Sequence, residues 1–318
     1  MKLIILDKMA REHEKFYDVV IPIVDKDFDK ALIILPYIKA YLPVKRMVLI
    51  GSEKVKAKMS ASEQGFIDFI DENQLINIER IREIIGNRTN NDEQAIKRTG
   101  WYLQQFIKMY YATICEDEYY IVWDVDTLPL HKIEFLVDRH PVFHMKTEFC
   151  ESYFITISKI LHDVDKCVDK SFIAEHMFVK CSLMNDMIHE IEKNENLKGK
   201  VFYEKILYAI EEKDIKNSGF SEFETFGSFC MKRYPTLYYL QTWKSMRDGA
   251  KYFNIGNFGK SELEWVRRDY DAISFEKYSK EVVGKSFFHK KVVHKIIGVD
   301  AARLIFNVIN KIFICLNR

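Results

Sequence analysis

The stretch Tyr119-Tyr-Ile-Val-Trp-Asp124-Val-Asp126-Thr-Leu-Pro129 decides how this chain is read. Five apolar or aromatic residues run straight into two carboxylates, with a turn and a proline beyond, which is the pattern of a buried strand that ends by presenting charge. Residues i and i+2 of an extended chain point to the same side, so Asp124 and Asp126 can converge on one metal ion and hold a diphosphate there. The spacing alone selects nothing, because Asp-x-Asp also occurs at Asp25/Asp27, Asp27/Asp29, Asp163/Asp165 and Asp269/Asp271. Two solvated residues ending a strand give the same letters; the apolar lead-in and the segments described below favour the metal.

Upstream, an amphipathic helix is expected over 92–115, with Ile96, Trp101, Leu103, Phe106, Ile107 and Tyr110 on its apolar face. A helix feeding a strand that ends in carboxylates puts those groups at the strand's carboxyl end, where open α/β sheets bind ligands. Nearer the start, 17–24 reads as a strand, 28–41 as a helix and 46–51 as a second strand, a βαβ unit with a parallel pair. Residues 53–98 are mixed, with weak elements around 66–70 and 78–85 and a loop at 86–91. Downstream, 140–145 and 174–180 read as strands, and 183–194 and 201–212 as helices. Residues 218–227 read as a loop entering a helix, in which Ser221-x-x-Glu224 fits a capping box and Gly219 and Gly227 give freedom to turn. The fold class expected is α/β: a single Rossmann-like domain with a mixed, mostly parallel central sheet flanked by helices, then a C-terminal amphipathic helix.

Composition agrees. In 318 residues, 48% hydrophobic content including 14% aromatics supports a sizeable core, and 6 Pro with 12 Gly exclude disordered and fibrous classes. The net charge of +1 is unevenly spread: seven basic residues from Lys285 to Arg318 face Asp300 alone, so this stretch carries +6 and the rest −5. A basic tail on a mildly acidic body suggests an anionic partner for the tail. Six cysteines without a C-x-x-C pair read as free thiols in a reducing cytoplasm. Neither a signal peptide nor a transmembrane helix is expected.

Four segments in order, Gly100-Trp-Tyr-Leu-Gln-Gln-Phe-Ile-Lys108, Tyr120-Ile-Val-Trp-Asp124-Val-Asp126-Thr, Glu175-His176-Met177 and Ser221-Glu222-Phe-Glu224-Thr-Phe-Gly227, resemble a poorly characterised family of bacterial glycosyltransferases. That family is similar to the wider GT-A class of nucleotide-sugar-dependent enzymes, and the match touches residues from about 17 to 280. The resemblance implies a Rossmann-like GT-A domain, a D-x-D metal site at Asp124 and Asp126, a divalent cation (Mn2+ or Mg2+), a nucleotide-sugar donor with UDP-sugar foremost, and a saccharide or lipid-linked oligosaccharide acceptor in bacterial surface polysaccharide synthesis. On that reading residues 1–284 form the transferase domain, with a donor half of about 15–130 and an acceptor half of about 131–284, and 285–318 form the tail.

The chemistry of the residue types completes the candidate site. A hard divalent ion in phosphate chemistry keeps waters and shares one or two protein carboxylates with the substrate's phosphates, a sparse requirement that Asp124 and Asp126 meet. Asp25 and Asp27 follow the first strand, where this class places a loop around base and ribose; a helix cap is the alternative. Gln104 and Lys108 lie four apart on one helical face, and Lys108 offers a point charge to the donor's diphosphate or is simply exposed. His176 lines the donor or acceptor pocket or is a satisfied core histidine; His144 has a weaker case, and His289 or His294 completes the metal shell only if the tail folds back. Glu222 is the choice of general base for the acceptor hydroxyl, with Glu224 assigned to capping or acceptor contact; both also suit a helix amino terminus simply as anions.

From Ala301 to Leu316 apolar residues recur at helical spacing behind a basic stretch, a unit that lies in a membrane interface or docks on the body or a second subunit. The expected location is cytoplasmic, at the inner face of the plasma membrane. The competing function classes are a nucleotidyltransferase, which would want a glycine-rich phosphate loop or a dense basic cluster that is not present, and a non-catalytic nucleotide-sugar or carbohydrate-binding protein. Nucleic acid is not an expected partner.

Overall fold

Six consecutive buried residues, Tyr17–Pro22, form strand β1, and a run buried on both faces marks an interior strand of a covered sheet. The computed structural model describes residues 15–276 and 285–316, except the side chains of Gln64 and of 310–316. Leu316 and Arg318, named above for the tail, therefore lie outside the described side chains. The described residues form two units, one from 15–25, 43–124 and 134–242, the other from 26–42, 125–133, 243–276 and 285–316.

In the first unit β2 (Val44–Gly51) pairs in parallel with one edge of β1, from Asp18 opposite Arg46 to Pro22 opposite Ile50. Strand β3 (Ile67–Asp71) adds in parallel outside β2, and β4 (Tyr119–Trp123) pairs in parallel with the other edge of β1. Only β5 (His176–Lys180) runs antiparallel, setting His176 opposite Trp123. The sheet order β3-β2-β1-β4-β5 is the mixed, mostly parallel α/β arrangement expected. A smaller sheet joins Leu136–Val137, His140–Met145 and Tyr239–Thr242.

Helix α1 (Phe28–Tyr41) follows β1 with the bounds its pattern predicts, and belongs to the second unit. Helices α2 (Ile78–Arg88), α3 (Thr99–Tyr110), α4 (Cys181–Lys193) and α5 (Glu222–Arg233) belong to the first. Helix α3 buries Tyr102, Leu103, Phe106 and Ile107, each stabilising by about 1.5–3 kcal/mol for a large apolar group removed from water.

Three expectations change. The helix over 92–115 is broken: Glu93–Ile96 makes one turn capped by Asp92, which accepts from Gln94 N, and α3 starts at Thr99, whose hydroxyl donates to Ile96 O at 2.7 Å and so competes with the helical ladder. The helix over 201–212 ends at Ala209, where Ile210 turns extended, and Glu212–Ile215 makes a separate turn. Gly227 is not a turning point. It lies inside α5, where a Cβ would meet the Phe172 ring at 2.2 Å, while a Cβ on Gly219 would meet Ile210 at 2.3 Å; close packing, not backbone freedom, requires both glycines.

In the second unit α1 buries Phe28, Ala31, Ile34, Leu35 and Ile38 and packs with the strand Thr127–Pro129, which joins Ala272–Ser274 and Ser245–Met246 in a three-stranded sheet. Helices α6 (Lys291–Ile296) and α7 (Val299–Leu316) follow, over a core that includes Tyr252, Phe253, Trp265 and Phe288. Among the described residues no helix is long and apolar enough to cross a membrane.

Candidate active site

The residue that follows β4, Asp124, is held by its backbone: its N–H donates to Glu175 O at 2.9 Å. Glu175 precedes β5 at φ 59°, a left-handed conformation that costs a non-glycine residue of order 1–3 kcal/mol. Its buried carboxylate accepts from Lys146 at 2.6 Å, a charge-assisted bond that helps to keep it there.

The Asp124 side chain accepts from Lys108 Nζ at 2.7 Å, and the same ammonium donates to Glu222 Oε1 at 2.8 Å. Lys108 comes from the last turn of α3, whose carbonyl at that residue accepts from Tyr120 Oη at 2.7 Å, fastening α3 to β4. Glu222 opens α5, and its N–H donates to Gln105 Oε1 at 3.3 Å. Burial disfavours the charge on Lys108, but the two carboxylates outweigh it and hold the ammonium above the ordinary lysine range. One ammonium between two carboxylates leaves a net negative cluster. Its open side is Asp124, whose side chain is 34% exposed against 6% for Glu222.

Gln105, not Gln104, is the glutamine that enters this cluster. Gln104 is half-buried, whereas Gln105 is buried and its Nε2 has no hydrogen-bond partner among the described residues, a donor that costs stability unless a ligand or water meets it. Spacing of three from Lys108, as well as four, marks neighbours on a helix, and that was the available signal. Glu175 gave no signal of its own, because nothing in the letters announces a positive φ.

The remaining candidates fall elsewhere. Glu224 takes Ser221 as its cap, its N–H donating to Ser221 Oγ at 3.3 Å, but the reciprocal half of the capping box is not made: its carboxylate accepts from Ser171 Oγ at 2.5 Å and Phe172 N at 3.2 Å. Burial pushes the Glu224 carboxyl up, partly opposed by those two donors. His176 is buried against His144, Nε2 to Nδ1 at 2.8 Å, and stacks on Trp123 with centroids 5.0 Å apart. Burial lowers His144 to about 4 and His176 well below the usual imidazole range, the latter also through its histidine neighbour. Asp25 is exposed in the turn Asp25–Asp27 and its carbonyl accepts from Lys58 at 2.6 Å.

In the second unit Asp27 stands at the N-cap of α1 without a side-chain cap bond and pairs with Lys30 at 3.5 Å. Asp126 is half-buried, and its carbonyl accepts from Phe275 N at 2.8 Å. His289 pairs with Glu262 and His294 with Ser261 Oγ and Phe288 O, so both take part in the packing of that unit. Two surface grooves of about 760 and 520 Å³ share no lining residue with the Lys108 cluster.

The segment 38–246, which spans Lys108, Asp124, Glu175 and Glu222, matches the profile of DUF6492. The chain belongs to DUF6492, a family of unknown function. No curated protein matches it. Among solved structures, this DUF6492 member is similar to mouse xyloside xylosyltransferase 1 in its apo form, at 9% identity and a TM-score of 0.39 over 84% of this chain and 99% of that one. It is also similar to the galactosyltransferase LgtC crystallised with donor and acceptor sugar analogues, at 12% identity and a TM-score of 0.41 over 86% and 94%. At those scores neither likeness bears on activity.

Proposed function

We propose that this DUF6492 member is a metal-dependent glycosyltransferase that moves a sugar from a nucleoside-diphosphate donor, a UDP-sugar foremost, to a saccharide or lipid-linked acceptor. The observation that carries the reading is the buried Lys108 ammonium shared by Asp124, at the carboxyl end of a mostly parallel sheet, and Glu222, at the start of α5. The donor set suits a hard divalent ion of the sparsely ligated kind. The D-x-D spacing of Asp124 and Asp126 in the sequence is the sparse carboxylate pattern such an ion shares with a substrate's phosphates, and Asp124 stands half-exposed at the end of β4. Such an ion supplies charge neutralisation for the departing diphosphate.

The chain's own groups divide the rest of the work. Lys108 keeps the Glu222 carboxylate oriented, and Gln105 fixes the backbone that carries it. Glu222 then takes the proton of the attacking acceptor hydroxyl. A screen of nucleoside-diphosphate sugars by thermal shift, with and without Mn2+, tests the reading: a donor that binds raises the melting temperature by mass action only when the ion is present, and no shift with any donor would count against it.

A further inference from the structure

Helix α7 turns one edge to the body of its own unit and leaves its wider apolar side in solvent. Val299, Ala302 and Phe306 are buried, Arg303 pairs with Asp248 at 2.7 Å, and Asn307 donates to Tyr252 Oη at 3.0 Å, so the helix is docked. Ala301, Leu304, Ile305, Val308 and Ile309, a single stripe at helical spacing, nevertheless face outward, Leu304 at 69% exposure. Helix α6 repeats the pattern, with Val293 and His294 buried while Val292 and Ile296 are exposed, Ile296 at 73%, beside the exposed Lys291 and Lys295. Lys290, just before α6, is exposed as well. Soluble monomers rarely leave contiguous apolar surface without a partner for it.

Charge selects the partner. The one acid between Lys285 and Ile309 is Asp300, and it is already engaged by Lys244, Arg303 and the Tyr270 hydroxyl. An isologous pair of copies would bring the same lysine rows together, and like charges facing each other suppress such a contact. Anionic headgroups neutralise those lysines while the acyl boundary receives the stripe.

We infer that α6 and α7 bind the surface of an anionic lipid bilayer. The apolar stripe of α7 enters the headgroup region and Lys290, Lys291 and Lys295 meet the lipid phosphates. This goes beyond the proposed activity and does not rest on it.

The test is co-sedimentation of the full chain with vesicles of phosphatidylcholine alone or mixed with phosphatidylglycerol. Binding is expected only to the anionic vesicles, falling as salt rises. Because each basic residue near such a surface is worth about 1 kcal/mol, Lys291→Glu with Lys295→Glu is expected to weaken binding roughly tenfold or more. Leu304→Asp with Val308→Asp, both at exposed positions, is expected to abolish it with an unchanged melting curve. Equal partitioning of all three proteins onto neutral vesicles would overturn the inference. So would a wild-type dimer that the Leu304→Asp/Val308→Asp protein cannot form, with no vesicle binding by either.

Discussion

Lys108 and Glu222, 114 residues apart in sequence, meet as a buried pair at 2.8 Å, and Asp124 takes the other side of the same ammonium at 2.7 Å. Removing the lysine strands two carboxylates, one of them almost wholly out of water. Loss of one partner of a buried pair typically costs about 3–5 kcal/mol, so Lys108→Met is expected to lower the unfolding free energy by that order in urea titration, and Lys108→Arg by less. The pH sign follows from the raised pKa. A lysine held above its ordinary 10.5 contributes fully below that value and loses its contribution only as pH rises through the higher folded one, so this group gives no loss of stability between neutral pH and about 10.

Glu222→Gln removes the proposed proton acceptor while keeping size and one hydrogen-bonding oxygen for Lys108. Turnover is expected to fall by roughly 10²–10⁴, with nucleotide-sugar binding by calorimetry unchanged. Near-normal turnover in this variant would remove the assignment.

The His144–His176 pair is expected to make the protein acid-sensitive. Both imidazoles are depressed in the folded state, so the stability they contribute is complete above the ordinary value of 6.5 and is lost as pH falls toward 4. For His144 alone the shift to about 4 corresponds to about 3 kcal/mol at 1.36 kcal/mol per unit. Urea midpoints measured from pH 7 to pH 4 are expected to fall steeply in the wild type and less steeply in His144→Gln; parallel slopes would show that other groups carry the effect.

Gly227→Ala is expected to destabilise by about 1–3 kcal/mol, the usual cost of overpacking, because the new methyl meets the Phe172 ring at 2.2 Å. A thermal melt at or above the wild-type temperature would contradict that packing.

Local patterns made much of this legible. The apolar run before Asp124 became β4, and the spacing of Phe28, Ala31, Ile34, Leu35 and Ile38 became α1 with its predicted bounds. Lys108, Asp124 and Glu222 were each named from residue type and context, yet their convergence was not, because no periodicity relates residues that far apart. Gln105, not the named Gln104, makes the contact to Glu222, because i+3 and i+4 neighbours are indistinguishable until the helix is placed against its partner. The break before Thr99 depends on a side-chain hydroxyl competing for one carbonyl, and the fate of the Glu224 carboxylate depends on the distant Ser171. Both are tertiary choices that local propensity does not encode.

The most direct test of the central claim is release of nucleoside diphosphate from a panel of UDP-sugars and related donors by the wild type, Asp124→Asn and Asp126→Asn. We predict turnover by the wild type that EDTA abolishes and excess Mn2+ restores, and its loss in both variants while each remains folded by circular dichroism. Turnover in Asp124→Asn and Asp126→Asn equal to that of the wild type, or insensitive to EDTA, would contradict the account.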